Sequence, residues 1–252
     1  MTRVIASIEA RMGSTRLPGK VLSDIGGQPA LTRLLRRIRR CRTLDGIILA
    51  TSDAVSDDPL ANWAVHEGVP LYRGSEEDVL HRVVEAQRKM ESDVVVEITG
   101  DCILLDPDLV DMGVTTFLNN DCDVVTNVHP VTFPMGEDVQ VYRLHDLEQV
   151  ERSIFDPAVR EHVSLYFYEN PGLYRIFNLF APARWHSPQY RFQLDYEADL
   201  QFINAVYSYL EPAFGDWFGL EEIMRLLKHK PELLEINQSC TEKSVRFEEC
   251  AA

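Results

Sequence analysis

Apolar positions fall along this chain in short continuous runs, separated by longer stretches in which they recur at helical spacing. Val4-Ile5-Ala6-Ser7-Ile8, Ile47-Ile48-Leu49-Ala50-Thr51 and Val94-Val95-Val96-Glu97-Ile98 predict buried strands, and residues 69–72 and 123–127 predict two more. Between them, Pro29 starts a helix whose inner positions are Leu31, Leu34, Leu35 and Ile38, and residues 59–67 give a second. Val79, Val83 and Ala86 line a third, for which Ser75 is the expected cap ahead of an acidic first turn, and Pro107 opens a fourth over 108–118. Strands that alternate with amphipathic helices make a mostly parallel sheet with helices on both faces, because parallel strands need crossover connections.

From residue 128 the rhythm changes. Phe133-Pro134-Met135-Gly136 is a turn, Val139-Gln140-Val141-Tyr142 alternates as a half-exposed strand, and residues 144–154 read as helical. Arg160-Glu161-His162-Val163 begins another helical stretch ending near Asn170-Pro171-Gly172, and residues 174–179 are strand-like. A short strand then stops at Asp195 and passes into a helix marked by Leu200, Ile203, Val206, Tyr207 and Leu210. Residues 220–228 and 231–236 give two more helical pieces, and the last dozen residues are polar and expected to be loose.

The first strand opens into Glu9-Ala10-Arg11-Met12-Gly13-Ser14-Thr15-Arg16-Leu17-Pro18-Gly19-Lys20, a small-residue loop carrying three cations. Loops at the carboxyl ends of strands are where open α/β sheets bind ligands. Backbone amides there can approach phosphate oxygens, and Arg11, Arg16 and Lys20 suit a polyphosphate better than a single carboxylate. It is not a P-loop: Gly13 and Gly19 enclose five residues where that motif has four, and Val21 follows the lysine instead of Ser or Thr. A solvated basic turn is the plainer reading of the same residues. Thr99-Gly100-Asp101-Cys102 follows the fourth strand directly, which puts Asp101 on the same rim as the loop, where a carboxylate can hold magnesium or simply cap a turn.

Charge sharpens this picture. The chain carries a net charge of -15, yet residues 1–42 hold ten of its 25 Lys and Arg against two acids, Glu9 and Asp24. A positive N-terminal lobe in a negative body steers an anion to one place and argues against non-specific contact with nucleic acid or an anionic membrane. Five of these cations, Arg33, Arg36, Arg37, Arg39 and Arg40, lie on the outer faces of the first helix, either as a solvated face or as part of the field at the phosphate loop. At 252 residues the chain buries a full core without disulfides. Five cysteines without a C-x-x-C pair read as reduced thiols of a cytoplasmic protein, with zinc disfavoured. Neither an eighteen-residue apolar run nor a leader-like N-terminus is present, so a soluble protein is expected.

The stretch from Ile8 to Lys20 resembles the opening signature of the cytidylyltransferases that make CMP-activated acidic sugars, the CMP-Kdo and CMP-sialate synthetases, and most resembles the spore coat polysaccharide biosynthesis protein F group. Glu9 stands where Pro or Gln is usual in that family. The resemblance runs in order through Gly74-Ser75, Gly100-Asp101 with Pro107, Phe133-Pro134-Met135-Gly136, Arg160-Glu161-His162-Val163 and Asp195-Tyr196-Glu197, nearly the whole chain. It implies a Rossmann-like nucleotidyltransferase domain over 1–252, with 128–188 as an acceptor and dimerisation subregion, and a cytoplasmic homodimer. It implies CTP bound by Ala10, Arg11, Gly13, Ser14, Arg16, Lys20 and Asp101, with Gly74 and Ser75 either reaching the nucleobase or forming an ordinary capped turn. Magnesium would be held by Asp101 and Asp195, and an acidic acceptor would be met by Arg160 and His162, two residues that a salt-bridged helix start explains as well. Glu197 and Asp199 suit the positive end of the following helix better than catalysis. The implied reaction joins CTP to a sugar hydroxyl, releasing pyrophosphate, with Arg11, Lys20, Asp101 and Asp195 as its catalytic groups. No side-chain base is then obligatory, and Glu9 has the best claim if there is one. A phosphonate or other acidic acceptor, and a non-catalytic nucleotide sensor, are the alternatives.

Overall fold

The computed structural model describes residues 2–241; of the last dozen residues, expected to be loose, all but Thr241 lie outside those described, as does Cys250. Nine strands and nine α-helices follow one another among the described residues. In chain order the strands are β1 (Val4–Glu9), β2 (Asp24–Ile25), β3 (Gln28–Pro29), β4 (Gly46–Ser52), β5 (Leu71–Gly74), β6 (Val94–Thr99), β7 (Val124–Thr126), β8 (Gln140–Arg143) and β9 (Ile176–Asn178). The helices are α1 (Ala30–Ile38), α2 (Asp58–Glu67), α3 (Val79–Lys89), α4 (Pro107–Asn119), α5 (Leu144–Ser153), α6 (Pro157–Glu161), α7 (Leu165–Glu169), α8 (Glu197–Phe214) and α9 (Leu220–His229).

Seven strands form one sheet in the order β5-β4-β1-β6-β8-β7-β9, while β2 and β3 pair separately. The first four are mutually parallel, β8 is antiparallel to both β6 and β7, and β9 returns parallel to β7. Side chains of each central strand alternate between two cores: Ala6 and Ile8 of β1 pack with α1, α4, α8 and α9, whereas Ile5 packs with α3, α5, α6 and α7. Both faces are therefore covered, which is why these strands are continuously apolar.

The tertiary structure departs from the sequence expectations in five places. β8 is not a half-exposed strand: Val141 and Tyr142 are both fully buried, because β8 lies between β6 and β7 with helices on either side. Asp78, not Ser75, caps α3, its carboxylate accepting from His81 N at 3.0 Å; the Ser75 hydroxyl accepts from Glu77 N and Asp78 N in the turn before it. The acids of that turn thus precede the helix. The helical stretch expected to begin at Arg160 is two short helices, α6, which starts at Pro157 under an Asp156 cap and ends at Glu161, and α7. Residues 192–195 form no ladder; a single bridge joins Arg191 to Met135.

The outer arginines of α1 divide as well. Arg37 is fully buried and donates to the carbonyls of Leu105, Phe218 and Leu104 at 2.9 to 3.0 Å, and Arg33 is buried against Glu211, Asp216 and two carbonyls. They are neither a solvated face nor a field at the loop. Bonds from all three nitrogens of Arg37 tie the segments at Leu104-Leu105 and Phe218 to the helix and satisfy a guanidinium that has left water.

Candidate active site

Parallel pairing of β1 with β6, in register from Val4↔Val94 to Glu9↔Thr99, ends both strands on one rim. Immediately beyond, Gly100 N donates to Glu9 O at 2.8 Å, and a Cβ on Gly100 would stand 2.9 Å from that oxygen and from Ala10 Cβ. Only glycine lets the two turns approach this closely. The loop after β1 is held from below by buried Asp57, which accepts from Met12 N at 2.7 Å and from Thr51 and Ser52. Met12 O then receives Ser14 N and Gly19 N, and Gly19, at φ 70°, turns the chain so that Lys20 faces inward.

The cleft above this rim has a volume of about 620 Å³. At one end Lys20 Nζ lies 2.7 Å from Asp101 Oδ2 and 2.8 Å from Asp195 Oδ1. Arg16 approaches the same oxygen of Asp195 at 2.8 Å, and Arg191 holds the other at 2.6 Å. Asp195 reaches Asp101 because Leu194 N donates to Asp101 O at 2.9 Å. Behind it, Asp199 is fully buried and accepts from Asp195 N, Tyr196 N, Arg191 Nε and Asn237 Nδ2. Its structural reading therefore holds. Burial alone would raise the Asp101 carboxyl, but the Lys20 ammonium outweighs it and holds the acid below its ordinary range. Burial would likewise lower Lys20, and the two carboxylates reverse the sign.

At the other end Glu9 and Arg82 line the cleft together with Val79, Glu161 and His162. Glu9 Oε1 and Arg82 Nε are both shut off from solvent without a hydrogen-bond partner. Burial and then nearby Glu97 push the Glu9 acid well above the usual carboxylate range, while burial pulls the Arg82 guanidinium down. The shift favours the protonated acid, which is a poorer base and a better donor than the carboxylate. Across the mouth, Arg11 Nη2 meets Glu161 Oε1 at 3.4 Å.

The structure thus brings Ala10, Arg11, Arg16, Lys20, Asp101, Asp195 and His162 to one cleft. Gly13, Ser14, Gly74 and Ser75 do not line it: Ser14 Oγ accepts from Leu17 N at 3.3 Å inside the loop, and its neighbour Thr15 faces the cleft instead. Ser75 contributes through its carbonyl, which accepts from Arg82 Nη1 at 2.7 Å. Arg160 is a correction. Its guanidinium is taken by both oxygens of Asp78 and by Glu151 O at 2.6 Å, so the members of its motif that line the cleft are Glu161 and His162.

Arg82, Gln193, Arg191, Tyr196 and Thr15 were not anticipated. Arg82 had a signal, a charged residue inside the apolar stripe of α3. Arg191 had only its spacing of four from Asp195.

Magnesium fits the carboxylate end by donor chemistry. Two carboxylate oxygens from separate loops already converge on one cation, and magnesium takes few protein carboxylates and completes its shell with water and phosphate. Among the described residues no group of three or more His, Cys, Asp or Glu is arranged for a metal, and no helix is long and apolar enough to cross a membrane. The four described cysteines are free thiols.

Residues 5–239 match the family model described as Cytidylyltransferase. The chain is 35% identical over 236 residues to the spore coat polysaccharide biosynthesis protein SpsF of Bacillus subtilis, covering 92% of this chain and 97% of that one. It is 34% identical over 171 residues to the 3-deoxy-manno-octulosonate cytidylyltransferase of Chlorobium chlorochromatii, covering 66% and 63%. Among solved structures, a cytidylyltransferase from Leptospira borgpetersenii superposes with a TM-score of 0.88 at 28% identity, covering 97% of this chain and all of that one.

Proposed function

From the premise that this chain belongs to the cytidylyltransferase family, we propose that it transfers CMP from CTP to an acidic sugar of the Kdo or nonulosonate kind, releasing pyrophosphate. The observation that carries this reading is the convergence of Asp101 and Asp195 on Lys20, beside Arg16 and within one cleft with Arg11. A polyphosphate needs several fixed cations and a divalent ion, and this end of the cleft offers the cations and a carboxylate pair that would hold the ion.

Asp101 and Asp195 would hold the magnesium, and Arg191 fixes the far oxygen of Asp195 so that the near one stays turned to the cleft. When bound, magnesium draws charge from the phosphates and lowers the pKa of the attacking hydroxyl. Lys20, Arg16 and Arg11, all lining the one cleft, stabilise the charge that gathers on the leaving pyrophosphate. The acceptor's acid group faces the wall made by His162 and Glu161, with Gln193 as a neutral hydrogen-bonding partner. Glu9 and Arg82 line the other end of the cleft, where the uncharged part of the nucleotide would lie. We further propose that the protein acts in the cytoplasm as a homodimer through the 128–188 segment, where Val131, Phe155, Leu173, Phe177 and Phe180 are exposed.

Incubation with CTP, magnesium and a panel of acidic sugars, following pyrophosphate and the mass of a CMP-sugar, tests the reading. Pyrophosphate with at least one 2-keto acid sugar is expected. Its absence with all of them, or its appearance only with phosphonates, overturns the acceptor class. Light scattering at micromolar concentration should give about twice 28.8 kDa, and a monomer there removes the dimer.

A further inference from the structure

We infer that Lys20 is an exchangeable cation that guards the carboxylate pair, so that magnesium and the nucleotide triphosphate enter by swapping partners with it. The inference rests on the proposed nucleotide reading. Its basis is geometric: the two oxygens Lys20 Nζ touches, at 2.7 and 2.8 Å, are the two a metal would use. Magnesium binds oxygen at about 2.0 to 2.1 Å. It therefore requires the region the ammonium occupies, and the two cations compete for it.

The surroundings make the competition costly on either side. Asp195 is buried at 4% exposed and Lys20 and Asp101 are largely covered at 12% and 14%, so removing the ammonium alone leaves Asp101 without its counter-charge and largely screened from water. Arg16 and Arg191 remain on Asp195, but no other ion pair reaches Asp101 among the described residues. A free divalent ion must expel Lys20 with no new anion to receive it. A free triphosphate must draw Lys20 from the carboxylates and leave them uncompensated. Together they exchange: the ion takes the carboxylates, and Lys20, on its flexible stem, turns to the phosphate oxygens. Each ligand thereby raises the affinity of the other by the same factor.

The test measures Mn2+ binding without nucleotide, by electron paramagnetic resonance of the free ion. Lys20→Met should bind Mn2+ about tenfold or more tightly than wild type, Lys20→Arg should stay as weak as wild type, and Lys20→Met with Asp101→Asn should lose the gain. In metal-free buffer Lys20→Met should melt below wild type and recover with Mn2+; Lys20→Gln, which keeps a donor, serves if the Met variant does not fold. Equal Mn2+ affinities in wild type and the neutral variants, with wild type still releasing pyrophosphate from CTP, overturn the exchange and leave the nucleotide reading standing. A gain of Mn2+ affinity in a protein that never releases pyrophosphate supports the exchange and removes the nucleotide reading.

Discussion

The two ends of the cleft are built from the same kinds of residue and behave in opposite ways. At the Asp101–Asp195 end, two carboxylates and three cations share their charges, so the acid Asp101 is held below its ordinary range and Lys20 above its own. At the Glu9–Arg82 end, one acid and one guanidinium lie close enough to feel each other but leave Glu9 Oε1 and Arg82 Nε unused, and each is pushed toward its neutral form. Burial is common to both. What differs is whether a partner meets the charge: at one end the charged forms are stabilised by their neighbours, and at the other burial works against them.

The contrast can be broken most heavily at Arg191. Arg191→Ala leaves Asp195 and Asp199 buried beside a lost cation and should destabilise the fold by about 3–5 kcal/mol, measured by urea unfolding. A loss under 1 kcal/mol would mean that the charges at this end are not mutually dependent. Next, Asp101→Asn should keep the fold while lowering turnover by about 10²- to 10³-fold. Near-normal turnover at ordinary magnesium would remove Asp101 from the site, and the same measurement on Asp195→Asn asks the question of its partner.

Arg160→Ala sharpens the comparison from outside the cleft. Its guanidinium ties α6 to Asp78 at the start of α3, so the variant should lose about 1.5–3 kcal/mol of stability with an unaltered CTP requirement. A change confined to the acceptor KM, with stability intact, would restore the contact the sequence suggested.

Glu9→Gln tests the unpaired end. The folded-state pKa of Glu9 lies above its unfolded value, so the protonated acid costs nothing below the unfolded value and weighs increasingly against the fold as pH rises above it. The Gln variant should therefore melt higher than wild type at pH 8, with the gap closing toward pH 4. A Gln variant that melts below wild type at pH 8, with the deficit closing toward pH 4, would reverse the sign and show Glu9 to be a paired carboxylate. The smallest effect is expected at the mouth, where both partners are exposed: Glu161→Gln should change stability by no more than about 1 kcal/mol and the change should vanish in high salt.

The sequence by itself determined the architecture and placed Asp101 on the rim beside the basic loop. Continuous apolar runs such as 47–51 have no polar face to show to water, so they had to be covered on both sides and joined by crossovers, which fixes a parallel α/β sheet. Asp101 was legible because it follows a strand directly, and a strand end is a position in space as well as in sequence. Only the tertiary structure decided the partners. Arg37 looked solvated because helical periodicity does not say what lies against an outer face, and three carbonyls from distant loops lie there. Arg160 looked free to bind because Asp78, 82 residues earlier, is invisible to local spacing. The assignment of β8 failed for the same reason, since its burial comes from α4 and from α5 and α7 packed on opposite faces. A hydrophobic period reports which residues leave water, a local property; where a buried charge finds its counter-charge depends on chain segments that meet only when the fold closes.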